Sequence, residues 1–271
     1  DRSYYRCKET GLLYMRRFEP ATISYTERYF FQEYRRQYGR TYLEDFDHIK
    51  RMGRGRLRVV EGKVPRRRLL SRRRGELALL DVGCAYGPFM QCAAERGFRA
   101  YGVDLSGAAV SYVRDTLGLP AWRGSVESID PEERFGVRQF DVITMWYVIE
   151  HLPDLERVLR SVRALLPVGG IFAFSTPNGE GISATTNREL FLRNSPEDHL
   201  TVWEPSRTAA ILDRFDLEVF RIKVTGHHPE RFPSVRSNPQ GVGARIMKPF
   251  LRRVSRWRGL GDTFECYARA R

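Results

Sequence analysis

Short apolar runs alternate with helical patterns from Leu77 onward, and this alternation constrains the fold more than any other feature of the chain. Seven runs have the length and composition of strands: they lie within ELALLDVG, FRAYGVDLS, LPAWRGSVES, FDVITMWYVIEHL, GGIFAFSTPN, LEVFRIKVTG and DTFECYARA. Helical patterns separate most of them: PFMQCAAER, AAVSYVRDTLG, LERVLRSVRALL and PSRTAAILDRF. Strands alternating with helices predict an α/β fold with a seven-stranded, mostly parallel sheet and helices on both faces.

The first part of the chain has a different texture, rich in aromatic and basic side chains. Four aromatic residues recur there at helical spacing, and Gly39 follows them as a helix stop: Tyr25, Tyr29, Phe30 and Tyr34. We expect residues 1–75 to form a helical lid region and residues 76–271 to form the main domain.

Two insertions interrupt the main domain, at about residues 178–204 and 227–261. The second contains the basic pattern ARIMKPFLRRVSRW, in which four apolar residues are predicted to share one face: Ile246, Phe250, Leu251 and Val254. Pro249 disfavours a helix here, because its ring removes a hydrogen-bond donor. We expect this segment to cap the sheet, with contact to a membrane surface as the alternative.

The net charge of +13 is concentrated in one segment. Residues 50–74 contain twelve Lys or Arg residues and a single acid, Glu61. Such a segment suits RNA or an anionic surface. The simpler interpretation is a solvated, arginine-rich face, since no aromatic residues are interleaved for base stacking.

Several classes of protein are disfavoured by composition. No apolar run approaches the roughly 20 residues that span a bilayer, and the start DRSYYRCKET lacks the apolar core of a signal peptide, so we expect a cytoplasmic protein. The four cysteines are scattered without a CxxC pair, which supports neither a zinc site nor a disulfide framework.

The turn after the first main-domain strand indicates the ligand. A dinucleotide fingerprint GxGxxG would fall on Gly83, Ala85 and Pro88, and two of these three positions are not glycine. What remains is DxGxxxG, from Asp81 to Gly87, with a second acid, Asp104, at the end of the next strand. An acid there can accept hydrogen bonds from both ribose hydroxyls. The pattern favours an adenosyl ligand that carries no phosphate.

These motifs resemble those of the class I S-adenosylmethionine-dependent methyltransferases. LLDVGCAYG is similar to their first motif, VDLS to their ribose-binding motif, and GSVESI to their adenine-contacting GDAEDL pattern. FDVITMWYVIEHLPDLERVLRSVRALLPVGG resembles the segment that carries EHLxD and LLxPGG. The resemblance is close over residues 77–174 and implies a Rossmann-like fold with S-adenosylmethionine as cofactor. It implies that the cofactor contacts are Asp81, Gly83, Cys84, Ala85, Gly87, Asp104, Leu105, Ser125, Val126, Met145 and Trp146.

The catalytic candidates lie beyond the fourth strand of the main domain. Methyl transfer is an in-line displacement that needs alignment, and a hydroxyl acceptor also needs a base. His151 is the first candidate base, with Glu150 to orient it, and His199 in PEDHLTVWEP is the second. The alternative is that Glu150 and His151 only cap the following helix and fix the loop. Related ubiquinone-pathway O-methyltransferases use an ExxEH cluster with a divalent metal; because Tyr147 replaces the first acid, we expect no metal here.

The resemblance leaves the acceptor open. The first hypothesis is methyl transfer to a hydroxyl of a small molecule, sugar or carrier-linked natural product. The second is an RNA methyltransferase that holds phosphates with residues 50–74. The third is a scaffold that binds S-adenosylmethionine without turnover, suggested by the departures at Ala85, Ser125 and Tyr147.

Overall fold

The computed structural model describes residues 3–16, 29–64 and 77–271. Its strands are β1 (Ser3–Arg6), β2 (Leu13–Arg16), β3 (Ala78–Val82), β4 (Arg99–Asp104), β5 (Ala121–Arg123), β6 (Val142–Trp146), β7 (Ile171–Pro177), β8 (Thr201–Val202), β9 (Leu217–Thr225) and β10 (Thr263–Ala270). Its α-helices are α1 (Tyr34–Tyr38), α2 (Phe46–Glu61), α3 (Pro88–Glu95), α4 (Gly107–Asp115), α5 (Pro131–Phe135), α6 (Leu155–Leu165), α7 (Ile182–Thr186), α8 (Arg188–Asn194), α9 (Pro205–Asp213), α10 (Pro233–Arg236) and α11 (Val242–Arg258).

The predicted seven-stranded sheet is confirmed, in the order β5-β4-β3-β6-β7-β10-β9. Strands β3 to β7 pair in parallel, and β10 runs antiparallel between β7 and β9. The order reverses between β3 and β6, so their carboxyl ends flank the crevice where such sheets bind ligands. That crevice lies beside the glycine turn.

Helices cover both faces of the sheet because the strands bury side chains in both directions. On one face, Leu80 and Ile143 pack with Val158 and Leu159 of α6. On the other face, Leu79 packs with α2, α3 and α4 through residues that include Leu57, Val60, Phe89, Met90 and Val113. Strands β3, β4, β6 and β7 are thus interior, which explains their continuous apolar runs, whereas β5 is an edge strand.

Helix α2 is the main element that the sequence patterns do not predict. It packs against α3, where Gly53 permits a close approach: a Cβ atom at Gly53 would lie 3.0 Å from the Phe89 ring. Its Leu57 and Val60 are fully buried in the same cluster as β3. The division of the chain near residue 75 stays a prediction.

A second, smaller sheet joins the start of the described sequence to the end of the first insertion. The hairpin of β1 and β2 pairs with β8 in antiparallel fashion, through Leu13 with Val202 and Tyr14 with Thr201. The Met15 amide also donates to the Leu200 carbonyl at 2.8 Å. The hairpin therefore supports the loop that carries His199.

Other predictions from the first part of the chain have mixed outcomes. Tyr29–Tyr38 is helical, and Gly39 ends it with a φ of +75°. Tyr25 and the basic residues from Arg66 to Arg74 lie outside the described residues. In the structure the four cysteines are free.

Helix α11 corrects the prediction of a single apolar face in the second insertion. The helix runs through Pro249 without interruption, and Leu251 is buried while Ile246 and Phe250 are 74% and 64% exposed. Among the described residues, the structure contains no helix with the length and hydropathy of a membrane span.

Candidate active site

The glycine turn connects β3 to α3 and brings the backbone close to the crevice. Gly83 and Gly87 have φ angles of +70° and +78°, and Ala85 between them has a φ of +47°. A Cβ atom at Gly83 would lie 2.4 Å from Val148 Cγ2, so this position excludes a side chain. The Ala85 amide donates to Asp104 Oδ2 at 2.8 Å, which holds this residue in its left-handed conformation.

Two buried carboxyl groups lie at the carboxyl ends of neighbouring strands. Asp81 in β3 is 3% exposed and accepts a hydrogen bond from the Thr144 hydroxyl at 2.6 Å. Burial raises the pKa of Asp81 to about 7, although that hydrogen bond opposes the rise. Burial also raises the pKa of Asp104, which accepts amide hydrogens from Ala85 and Ser106 at 2.8 Å. Each Asp104 oxygen has a further lone pair for a ligand hydroxyl.

The predicted cofactor residues divide into two groups in the structure. Leu105 is 53% exposed at the rim beyond Asp104, and Ser125 is half-buried with its hydroxyl 2.9 Å from the Ser128 hydroxyl. The side chains of Cys84, Val126 and Met145 are buried in the hydrophobic core. These three residues therefore position the turn and strand ends rather than present polar groups to a ligand.

A group of aromatic rings packs against the glycine turn. Phe30 and Tyr86 are buried there with Ala85, and Tyr42 and Tyr112 pack against them. The Phe30 and Tyr86 rings are 5.1 Å apart at their centroids in an edge-to-face arrangement. Burial, followed by the negative charge of Asp81, raises the pKa of Tyr42 well above its ordinary value, and Asp104 adds to this. The Tyr42 hydroxyl therefore lies in the field of both crevice carboxylates.

Trp146 and Arg56 form the neighbouring wall of the crevice. The Arg56 guanidinium lies 4.1 Å from the centre of the Trp146 ring and donates from Nε to Glu265 Oε1 at 3.1 Å. Arg56 is only 4% exposed, so this member of the basic segment is not a contact for RNA or an anionic surface. Trp146 Nε1 is buried and has no hydrogen-bond partner among the described residues. An unpaired buried donor at a strand end indicates a place for a ligand acceptor.

Patterns in the sequence do not distinguish Arg56 from its neighbours in the basic run. Only its helical spacing from Gly53 and Val60, which also face the core, sets it apart. Within the same run, Lys50 also forms an ion pair inside the protein, since its ammonium lies 2.5 Å from Glu95 Oε1.

A cluster of ionisable groups follows β6, where the chain forms a short 3₁₀ turn at Ile149–His151. The Leu200 amide donates to the Glu150 carbonyl at 2.7 Å, which holds the first insertion against this turn. The rings of His151 and His199 consequently lie 4.7 Å apart, edge to face. The structure thus brings together the two predicted histidines, which are far apart in sequence.

Asp198 is the member of the cluster that sequence patterns miss. Nδ1 of His151 lies 3.0 Å from Asp198 Oδ2 and 3.1 Å from the Asp198 carbonyl oxygen. Although burial alone lowers the pKa of His151, the hydrogen bond with Asp198 and the charges of Glu150 and Asp198 raise it above its ordinary value. Both neighbours of Nδ1 are acceptors, so Nδ1 carries the proton and Nε2 carries the lone pair.

Glu150 is the most buried group of the cluster, with 1% of its surface exposed. Neither carboxylate oxygen receives a hydrogen bond of conventional geometry from the described residues, and burial raises the pKa of Glu150 to about 7. The helix-capping interpretation is wrong for this residue, because the N-cap of α6 is Asp154, whose side chain accepts from the Arg157 amide.

The cluster has the donor types of a divalent-cation site. One ligand atom from each of Glu150, His151 and His199 lies within 4.8 Å of the others. Two imidazoles and a carboxylate are a common ligand set for a transition metal, and Asp198 would orient His151 as an outer-shell partner. In such a site, His199 would supply the third ligand that the Tyr147 position lacks.

The crevice also fits an adenosyl ligand with a cationic tail. Asp104 offers lone pairs for ribose hydroxyls, the left-handed turn brings backbone close to the ligand, and Asp81 adds a second carboxyl group. The unpaired Nε1 of Trp146 offers a donor beside them. The cluster at Glu150 lies beyond the carboxyl end of β6, on the side of the crevice from which an acceptor would approach.

Comparison with known proteins agrees with this geometry. Residues 51–222 match the family model of the methyltransferase domain. The ubiquinone biosynthesis O-methyltransferase of Citrobacter koseri is 29% identical over 168 residues, which are 55% of this chain and 64% of that protein. The chain therefore spans less than two thirds of the length of this relative.

Solved structures agree on the fold. A methyltransferase from Archaeoglobus fulgidus that depends on S-adenosylmethionine superposes with a TM-score of 0.59 at 16% identity, over 88% of this chain and 98% of that one. A methyltransferase from Thermotoga maritima, described as a possible histamine N-methyltransferase, superposes with a TM-score of 0.55 at 16% identity, over 90% and 100%. With a family model that matches more than half of its length, the chain belongs to the class I S-adenosylmethionine-dependent methyltransferases, and S-adenosylmethionine is its cofactor.

Proposed function

We propose that this methyltransferase transfers the methyl group to a hydroxyl oxygen of a small molecule or sugar, with His151 as the general base. The observation that carries the proposal is the pair of acceptors on Nδ1 of His151, the carboxylate and the carbonyl of Asp198. They direct the lone pair of Nε2 away from the loop. A hydroxyl needs its proton removed as it attacks, and an oriented imidazole is suited to that task.

Each residue of the cluster has a distinct role in this proposal. S-Adenosylmethionine supplies an electrophilic methyl group on a positively charged sulfur. His151 Nε2 accepts the proton of the acceptor hydroxyl, and the Asp198 carboxylate stabilises the imidazolium that results. Glu150, buried beside His151, adds negative charge that strengthens the base. His199 lies edge to face with His151 and contacts the acceptor.

The surrounding residues align the reactants and keep water out. Asp104 fixes the ribose end, while Phe30, Tyr42 and Tyr86 pack over the glycine turn. Alignment of two reactants can supply about 7 to 11 kcal/mol of a reaction barrier. The O-directed activity of the Citrobacter koseri relative, which its name states, supports oxygen over nitrogen as the acceptor atom.

A second candidate is that a divalent cation assists the same reaction. The buried carboxyl group of Glu150 favours it, because burial disfavours the charged form and a bound cation would compensate that charge. Glu150, His151 and His199 would hold the ion. A bound cation would lower the pKa of an acceptor hydroxyl.

The test compares acceptors that differ only in the attacking atom. Wild-type protein is incubated with methyl-labelled S-adenosylmethionine and matched pairs of phenols and anilines, or of sugars and amino sugars. We expect label on the hydroxyl members. Label confined to the amine members would contradict an O-directed reaction, and label transferred to RNA would favour the nucleic-acid alternative.

The cation is tested in the same assay with a chelator and by metal analysis of the purified protein. The base proposal alone predicts full activity after chelation. The cation candidate predicts loss of activity that added Mg²⁺, Mn²⁺ or Zn²⁺ restores, and a metal content that falls in Glu150→Gln and His199→Ala.

A further inference from the structure

Helix α11 presents an apolar stripe to solvent. Four large side chains on one side of the helix are highly exposed: Val242 at 74%, Ile246 at 74%, Phe250 at 64% and Trp257 at 81%. At 3.6 residues per turn, these positions fall within about a quarter of the helix circumference and extend over roughly 22 Å of its length. A stripe of this kind is more than scattered surface hydrophobicity.

The opposite side of α11 already packs against the protein, so the exposed stripe is not its core face. Ala244 and Leu251 are buried in a cluster with Ile182, Phe232 and Val235. The segment after the helix is fixed as well, since Asn178 Nδ2 donates to the Gly261 carbonyl at 2.7 Å and the Ile182 amide donates to the Leu260 carbonyl at 2.9 Å. The helix is therefore anchored next to the carboxyl end of β7.

Positive charge surrounds the stripe, and exposed Arg253 lies within the same arc of the helix. The helix contains six basic residues and no acid: Arg245, Lys248, Arg252, Arg253, Arg256 and Arg258. Within the described part of the chain, no ion pair connects any of the six to a carboxylate. The guanidinium of Arg258 lies 5.6 Å from the centre of the Trp257 ring. The outward surface of α11 thus combines exposed aliphatic and aromatic side chains with unpaired cations.

We propose that α11 binds an anionic membrane surface, lying parallel to it with the stripe inserted at the headgroup level. An interfacial helix of this kind has a basic polar face and an apolar face that includes Trp and Phe. Arginine side chains beside the stripe can extend to lipid phosphates while their methylene groups remain among the acyl chains. The proposal concerns surface binding and does not depend on which acceptor the enzyme methylates.

Binding to single-stranded RNA explains the exposed residues of α11 less well. Single-stranded RNA binds through aromatic rings on which bases stack, together with cations that follow the backbone. Half of the stripe is aliphatic, because Val242 and Ile246 offer no ring to a base. Insertion into lipid gives all four side chains the same role.

The test uses vesicles of neutral phosphatidylcholine and vesicles that also contain phosphatidylglycerol. Wild-type protein is expected to sediment with the anionic vesicles and not with the neutral ones. Trp257 reports directly on insertion, because its exposed ring moves from water to lipid and its emission shifts to the blue. The shift should disappear in Trp257→Phe while sedimentation is retained.

Two variants separate the contributions of the stripe and the charges. Ile246→Ser combined with Phe250→Ser should abolish the Trp257 emission shift. Arg252→Gln combined with Arg256→Gln should weaken partitioning on the order of 20-fold. The matched control is Arg114→Gln combined with Arg157→Gln, two exposed arginines on α4 and α6, which should bind as the wild type does. All variants alter exposed positions, and thermal unfolding verifies that each is folded.

Three outcomes would overturn the proposal. The first is equal or absent binding to both kinds of vesicle. The second is unchanged binding and emission in the Ile246→Ser, Phe250→Ser variant. The third is binding of a single-stranded RNA oligonucleotide that the Arg252→Gln, Arg256→Gln variant loses, without any vesicle binding by the wild type.

Discussion

The carboxylate of Asp198 lies 3.0 Å from Nδ1 of His151, and the carbonyl of the same residue lies 3.1 Å from that nitrogen. One residue of the first insertion therefore fixes both the orientation and the tautomer of a histidine that follows β6. This contact connects two segments that are 47 positions apart in the chain.

Asp198→Asn should lower kcat and change its pH dependence. The asparagine oxygen can still accept from Nδ1, so the ring keeps its orientation while the negative charge is lost. Because that charge contributes to the raised pKa of His151, the rising limb of the kcat profile should move to lower pH. We expect kcat to fall on the order of 10²-fold at little cost in KM. Asp213→Asn, on the exposed end of α9, is the control.

Glu150→Gln should remove a pH dependence of stability. The folded pKa of Glu150 is raised from 4.5 to about 7, so the stability that its protonated form contributes is fully present below pH 4.5 and lost as pH rises through 7. That displacement corresponds to about 3 kcal/mol. The variant should unfold at a higher temperature than the wild type at pH 8, and this difference should shrink towards pH 4. Thermal unfolding in the presence of a chelator measures it, and a difference that is constant with pH would contradict the account.

Asp104→Asn should weaken cofactor binding. The ribose hydroxyls lose a charged acceptor, and each such hydrogen bond contributes about 1.5 to 3 kcal/mol, so the Kd for S-adenosylhomocysteine should rise on the order of 100-fold. Asp141→Asn is a matched control, since Asp141 is 5% exposed and accepts a hydrogen bond from the Ala78 amide at the amino ends of β3 and β6, away from the crevice. Calorimetric titration of both variants separates a ligand contact from a general loss of stability.

Tyr42→Ala should weaken the cofactor complex less severely. Tyr42 packs against the glycine turn and lies in the field of Asp81 and Asp104, so we expect its ring to cover the bound ligand. Loss of one aromatic contact should raise the Kd for S-adenosylhomocysteine about 2- to 10-fold. Tyr5→Ala, at an exposed position of β1, should leave the Kd unchanged. Equal effects of the two substitutions would exclude a specific role for Tyr42.

The sheet and the cofactor turn were predictable because their signals are local. A buried strand is recognisable in the sequence as an apolar run, as in β3 and β7. The spacing of Gly83, Gly87 and Asp104 is set by the glycine turn and by the strand that follows it. The helix stop at Gly39 was predictable for the same reason, since a left-handed φ favours glycine.

The rest depends on contacts between distant residues. Both histidines were named from the sequence, but only the pairing of β2 with β8 and the hydrogen bond from the Leu200 amide to the Glu150 carbonyl place them side by side. In the sequence alone, nothing distinguishes Asp198 from other acidic residues in loops. The apolar residues of α11 were assigned to one face although Phe250 and Leu251 point about 100° apart, and the structure buries only Leu251.

The most direct measurement is kcat for His151→Ala against an acceptor found in the paired-acceptor assay, together with the Kd for S-adenosylhomocysteine. His48→Ala, which removes an exposed imidazole from α2, is the control. We predict that kcat falls about 10²- to 10⁴-fold in His151→Ala while the Kd is unchanged, and that His48→Ala behaves as the wild type. A His151→Ala enzyme that retains wild-type kcat would contradict the assignment of this residue as the base.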